Sequence, residues 1–172
     1  MQIGFIAALA AAPIMLFSGV VSANAQTTKV EKFYDNWKVE CRDDGKSKRC
    51  FMNYALLNPQ NRNIVFSWTI VPDRDNAGQD KAIIRTPTGV LLPEGLSVSF
   101  ASGSPVKAAY RTCRRNRCLS EFPLTNDWMS ALGSQNEMTV KYKTERGRDI
   151  SRKITLQKFS EAYEFYRSEK GN

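Results

Sequence analysis

The sequence predicts an all-β protein, built as an antiparallel sandwich or barrel. Three observations carry that reading. Apolar residues recur at every second position along most of the chain, turn residues interrupt the pattern at short intervals, and four cysteines stand in two close pairs. Period-two alternation puts one face of each strand on a core and the other in water, as antiparallel sheets require. Short strands punctuated this often belong to sandwiches and barrels.

The first element is not part of that fold. Residues 3–21 carry no charge and are mostly Ile, Ala, Leu, Phe, Val and Met. A membrane span needs about 20 such residues, but Gly4, Pro13, Ser18 and Gly19 interrupt the run. Ala23-Asn24-Ala25 then supplies the small residues of a signal-peptidase site. We read residues 1–25 as a cleaved signal peptide and 26–172 as one mature domain. The n-region, Met1-Gln2, holds neither Lys nor Arg, so a retained anchor is the competing reading. No cysteine adjoins the cleavage point, which argues against a lipid-modified N-terminus. The mature length suits one domain with a sizeable core.

Strands follow in order. Trp37, Val39 and Cys41 alternate with Lys38, Glu40 and Arg42. Ile64, Phe66, Trp68 and Ile70 alternate with a mixed set, Val65, Ser67, Thr69 and Val71. Leu96, Val98 and Phe100 alternate with Ser97 and Ser99; Met138, Val140 and Tyr142 alternate with Thr139, Lys141 and Lys143. Ile150, Ile154 and Leu156 close the series. Gly, Pro and Asx residues break the chain between them, as in Asp43-Asp44-Gly45, Pro72 to Gly78 and Pro93-Glu94-Gly95. Two short helices are expected. One runs from a Thr125 or Asn126 cap to a stop at Gly133, and the other starts at a Ser160 cap with Tyr163, Tyr166 and Arg167 on one side.

The cysteines bear on compartment and chemistry. An exported chain with an even number of close cysteines is most simply disulfide-bonded. Four cysteines allow three pairings; local closure, Cys41 with Cys50 and Cys113 with Cys118, is the pairing that short hairpins favour. A Cys₄ zinc site fits the second spacing but not the first, which has eight intervening residues. Neither pair is the C-x-x-C of a redox centre. The chain has no histidine, which excludes Ser-His-Asp and Cys-His catalysis and every His-based zinc site.

The formal charge is +8, an excess that favours anionic partners. It concentrates at Arg111, Arg114, Arg115 and Arg117, with Lys107 nearby and no acid until Glu121. Guanidinium groups on a constrained tip suit carboxylate, sulfate or phosphate, and these five residues are the candidate anion site. No aromatic residue interleaves the arginines for base stacking, so nucleic acid is not the expected partner.

Two motifs fail on inspection. Ser104-Pro105-Val106-Lys107 matches S-x-x-K, but that nucleophile needs a helix start, whereas Val106, Ala108 and Tyr110 alternate as a strand. Asp73 to Gly78 resembles the opening of an EF-hand loop, but its fifth position is Ala77 and its twelfth is Ile84. Neither a metal nor a cofactor is expected.

Several segments together resemble the invasion-associated locus B family of exported bacterial proteins. They are Trp37-Lys38-Val39-Glu40-Cys41, Cys50-Phe51, Thr86 through Leu96, Tyr110-Arg111-Thr112-Cys113 to Cys118, and Ile154 to Tyr166. The resemblance spans essentially the whole mature chain. Arg117 stands before Cys118, and Lys158 before Phe159, where the family often carries Gly. The resemblance implies an immunoglobulin-like β-sandwich in the periplasm or cell envelope, associated at most peripherally with a membrane after signal cleavage. Some members are linked to host-cell entry, and no catalytic residues are carried over.

The expected function is therefore non-enzymatic binding of an anionic envelope or host-surface component. The alternative is recognition of another envelope protein through a sandwich face, with Trp128 or Tyr163 in an apolar patch. A hydrolase would need clustered carboxylates or a Ser-Lys pair, which no motif supplies.

Overall fold

A computed structural model describes residues 28–171; the signal peptide read at residues 1–25 lies outside the described residues. Two antiparallel sheets form. The larger is a meander of β1 (Thr28–Tyr34), β2 (Trp37–Asp43), β3 (Lys48–Leu57), β4 (Ile64–Pro72) and β5 (Asp80–Pro87), extended by β9 (Arg117–Leu124) and then β8 (Tyr110–Arg114) at its edge. The smaller runs β11 (Asp149–Thr155), β10 (Glu137–Lys143), β6 (Leu96–Phe100), β7 (Val106–Ala108). Two helices, α1 (Asn126–Ser134) and the C-terminal α2 (Phe159–Lys170), complete the expected class.

The alternating sets face one core. Trp37, Val39 and Cys41 of β2, Phe66, Trp68 and Ile70 of β4, Leu96 and Val98 of β6, and Met138 and Val140 of β10 are all buried in it. In β4 the middle of the other face, Ser67 and Thr69, is buried too, because β4 lies in the middle of the larger sheet. There Thr69 Oγ1 donates to Asn53 Oδ1 (2.8 Å) and accepts from Arg85 Nη1 (2.9 Å), which satisfies a polar side chain out of water. β11 is less regular than its apolar set suggests, since Arg152 takes the inward position between Ile150 and Ile154.

The segment from Thr86 to Leu96 carries the chain from one sheet to the other. Leu91 N donates to Lys143 O and Glu145 N to Gly89 O, both at 2.8 Å, which seat the crossover on the end of β10. A single 3-10 turn, Leu92–Glu94, then ends at Gly95 with φ 65° and ψ −153°. A Cβ at Gly95 would lie 2.6 Å from the carbonyl oxygen of Ala108. Glycine is required there on both counts, conformation and space.

One boundary of each helix differs from expectation. Thr125 caps α1 as expected, its hydroxyl accepting from Trp128 N at 3.4 Å. The helix then passes through Gly133 to Ser134, and Gln135 ends it in an extended conformation with its N–H on Ala131 O. Gly133 is thus not the stop. In α2 the cap is not Ser160, which sits inside the first turn. Lys158 precedes the helix at φ 61° and ψ 12°, and Phe159 is its first residue, buried against Trp37 at 5.2 Å between ring centroids. Burial of Phe159 fixes where the helix must begin, and a left-handed residue before it turns the chain in. That is the position at which the resembling family often has glycine, which adopts this conformation without cost.

Replacing Lys158 by Gly should therefore raise Tm by about 2–4 °C, despite loss of the exposed Lys158–Glu161 ion pair at 2.8 Å. Differential scanning calorimetry checks this; a lowered Tm would show that the ion pair outweighs the backbone.

Candidate functional site

The β8–β9 hairpin closes on Arg115-Asn116, with Arg115 in the left-handed region at φ 52°. Cys113 and Cys118 stand directly opposite one another with Cα atoms 4.0 Å apart, and their sulfurs are bonded. The next pair outward is Arg114 opposite Arg117. Arg114, Arg115 and Arg117 are exposed, and none has an acidic partner within 4.0 Å among the described residues. Two like charges directly across a ladder repel. The adjacent disulfide holds them together regardless.

The other two candidates part from this group. Arg111 is committed to Glu121, with Nη1 2.8 Å from Oε2. Lys107 belongs to β7 of the smaller sheet, where it pairs with Ser97. The run that reads as one basic cluster in sequence is therefore divided between two sheets. Arg85, which sequence reasoning missed, lies near the tip, with its guanidinium already engaged by donating to Thr69 Oγ1 at 2.9 Å. It is half-buried on β5, directly opposite Leu119 of β9. Burial and the neighbouring Arg117 both lower its pKa. Only the β5–β9 register brings it there.

A second polar cluster, also missed, lies under α2. Asp80 is 4% exposed and accepts three charged or phenolic donors: Tyr163 Oη at 2.7 Å, Tyr166 Oη at 2.9 Å and Lys170 Nζ at 2.7 Å. A cleft of about 620 Å³ opens beside it, lined by Asp73, Gln79, Arg167 and Lys170 among others. Burial pushes both tyrosines well above the ordinary phenol range, and the Asp80 carboxylate adds to the effect. Every donor comes from one helix and the carboxylate is fully engaged, so the cluster acts as a pin for α2. Glu40 on β2 is likewise buried, and desolvation works to raise its pKa. Hydrogen bonds from Lys38 (2.7 Å) and Arg42 (2.7 Å) outweigh that and leave it lowered.

The remaining expectations resolve simply. Cys41 is bonded to Cys50 across β2 and β3, so all four cysteines are in disulfides. Asp73 turns its carboxylate onto its own loop, accepting from Asp75 N (3.1 Å) and Asn76 Nδ2 (2.8 Å). Ser104 precedes a strand, not a helix. Trp128 and Tyr163 are half-buried and pack inward. Trp128 is packed against Trp68, Phe100 and Phe122, with centroids 5.0–6.3 Å away, and Tyr163 stacks on Phe159 at 5.8 Å.

The geometry defines a class: a two-sheet antiparallel protein, stapled at two hairpins and closed by a C-terminal helix. Within that class the chain belongs to the invasion-associated locus B family, since residues 37–166 match the family model described as "Invasion associated locus B (IalB) protein". The crystal structure of invasion associated protein B from Bartonella henselae is similar, with a TM-score of 0.70 at 19% sequence identity. The match covers 80% of this chain and 94% of that one, and it supports the fold. Among curated proteins none matches. Among the described residues no helix is long and apolar enough to cross a membrane.

Asp80→Ala should lower unfolding stability by about 3 kcal/mol or more, because it leaves Lys170 and two phenols without their partner under the helix. A urea midpoint shift at unchanged slope is the measurement. The tyrosines have a separate signature. Their folded pKa values are raised, so their contribution is complete below the unfolded phenol value of about 10 and is lost as pH rises beyond it. Stability should fall above about pH 10, and Tyr166→Phe should make that alkaline loss shallower; an identical pH profile would contradict the role given to Tyr166.

Proposed function

We propose that this chain is a non-enzymatic protein of the bacterial periplasm or envelope, exported through a cleaved signal peptide, that binds an anionic component of the envelope or of a host-cell surface. Family membership supports the exported class, and the family description supports a link to invasion. The observation that carries the binding reading is the Arg114–Arg117 cross-strand pair, exposed, close to Arg85 and without acidic partners among the described residues. An anionic group between these guanidinium forks relieves their repulsion and accepts bidentate hydrogen bonds. The Cys113–Cys118 staple holds the pair in place before any ligand arrives, which reduces the ordering cost of binding.

A second reading has its own observation. The outer face of the larger sheet carries half-buried Phe51, Val71, Ile83 and Leu119, and Phe33 at the β1 edge is 66% exposed. Such a face fits an accessory or inhibitor protein that docks on another envelope protein. Salt separates the two, because polyanion binding weakens steeply with ionic strength and apolar docking does not.

Arg114→Glu combined with Arg115→Glu should elute from a sulfated-polysaccharide matrix at clearly lower salt, with unchanged Tm. Retention equal to that of the unaltered protein would remove the tip from the binding surface.

A further inference from the structure

The outer face of the smaller sheet holds a row with its own logic. The register places Lys107 of β7 opposite Ser97 of β6, Ser97 opposite Lys141 of β10, and Lys141 opposite Ser151 of β11. Strands lie about 4.8 Å apart, so the two lysines flank Ser97 at about 10 Å from one another. Both are exposed, and neither has an ion-pair partner within 4.0 Å among the described residues. Their neighbours differ: Lys153 is paired with Glu137 at 2.9 Å, and Lys143 stands 3.9 Å from Glu94. Over the row opens a groove of about 510 Å³, which takes in Ser97, Lys107, Lys141, Asp149 and Ser151.

We infer that this groove binds a sulfate or phosphate ester carried on a polysaccharide, with the ester seated over Ser97 between Lys107 and Lys141. The proposal rests on the anion-binding reading above and adds to it a site on the other sheet. Two flexible lysine side chains rooted about 10 Å apart on either side of a hydroxyl can converge on a tetrahedral oxyanion between them, with Ser97 as a further donor. The rest of the lining points to a sugar. Glu94 and Asp149 flank Lys143 at one end of the groove, where carboxylates accept hydrogen bonds from ring hydroxyls. Ser151 extends the row with a group that donates and accepts. Every outward position of this sheet is Ser, Thr, Lys, Asp or Glu. No side chain on the face can insert into a bilayer or stack on a base, so neither a membrane surface nor single-stranded nucleic acid fits it as well. The groove volume is that of a small-ligand site and accommodates a short saccharide segment.

Calorimetric titration of the full-length protein with a fully sulfated heparin-derived tetrasaccharide tests this. The desulfated tetrasaccharide, inorganic sulfate and phosphatidylglycerol vesicles serve as comparison arms. Lys107→Ala with Lys141→Ala should weaken tetrasaccharide binding by about tenfold or more, and Arg114→Glu with Arg115→Glu is titrated in parallel because the tip is the rival anion site. Both lysines are exposed, so an unchanged near-ultraviolet spectrum verifies the fold of the variant. Wild-type affinity in the lysine variant, with loss only in the arginine variant, overturns the groove and leaves the tip standing. Unchanged binding in both variants, or none by the wild type, overturns the anion-binding reading itself. Equal affinity for inorganic sulfate, or binding to vesicles alone, overturns the polysaccharide assignment.

Discussion

The structure depends on covering a seven-stranded sheet with a four-stranded one. At about 4.8 Å between strands, the larger sheet is about 29 Å across and the smaller about 14 Å. Half of a strongly apolar inner face would remain in water if the second sheet were its only cover. The helices close the difference. α2 starts at Trp37 on β2, where Phe159 meets the indole edge-on, and ends at Asp80 on β5. α1 inserts Trp128 between the layers, in contact with Trp68 and Phe122 of the larger sheet and Phe100 of the smaller. The aromatic content of the chain is concentrated at these seams because large rings fill an uneven gap between a sheet and a helix with few side chains.

Covering a sheet with a helix leaves its position along the groove loosely defined, since apolar contact is non-directional. Asp80 supplies direction. Its donors stand at positions 163, 166 and 170, which the 3.6-residue period places on one face of α2. A helix shifted by one turn would leave a carboxylate buried beneath it without partners, at a cost of several kcal/mol. The arrangement therefore specifies one seating of α2 more than it adds to net stability. The left-handed Lys158 at the other end has the same consequence, because it fixes the angle at which the chain enters the helix.

How much of this was legible in the sequence follows from the range of each interaction. The strands at Trp37, Phe66, Leu96 and Met138 were readable because alternation is local and each strand buries a complete apolar face. The Thr125 cap was readable for the same reason, since its partner is Trp128, three residues on. Asp80 was invisible because its partners lie 83 to 90 residues away, and a lone Asp after a loop looks like turn chemistry. Arg85 was invisible because its proximity to Arg117 exists only through β5–β9 pairing. The Ser160 cap was a reasonable local inference overridden by a distant one, the burial of Phe159 against Trp37. Gly133 likewise matches a stop signal, but Gln135 completes the last turn through Ala131.

The basic run from Lys107 to Arg117 shows most clearly what tertiary structure does to a sequence motif. β7 ends at Ala108 and β8 begins at Tyr110, so a single residue, Ala109, carries the chain from the edge of the smaller sheet to the edge of the larger. Ser120 fastens this crossing point by donating its hydroxyl to the Ala109 carbonyl at 2.7 Å. Gly95 lies close on the other side, its missing side chain making room for the Ala108 carbonyl. Because the crossing is so short and so closely held, Lys107 and Arg111 cannot turn to one surface together. The cations divide accordingly: one lysine to a hydroxyl-rich groove, Arg111 to Glu121, and three arginines without acidic partners among the described residues to a stapled tip. Charge density along the chain is therefore a poor guide to charge density in space here, and the two surfaces present different donor chemistry: point charges beside hydroxyls on one sheet, planar forks on the other.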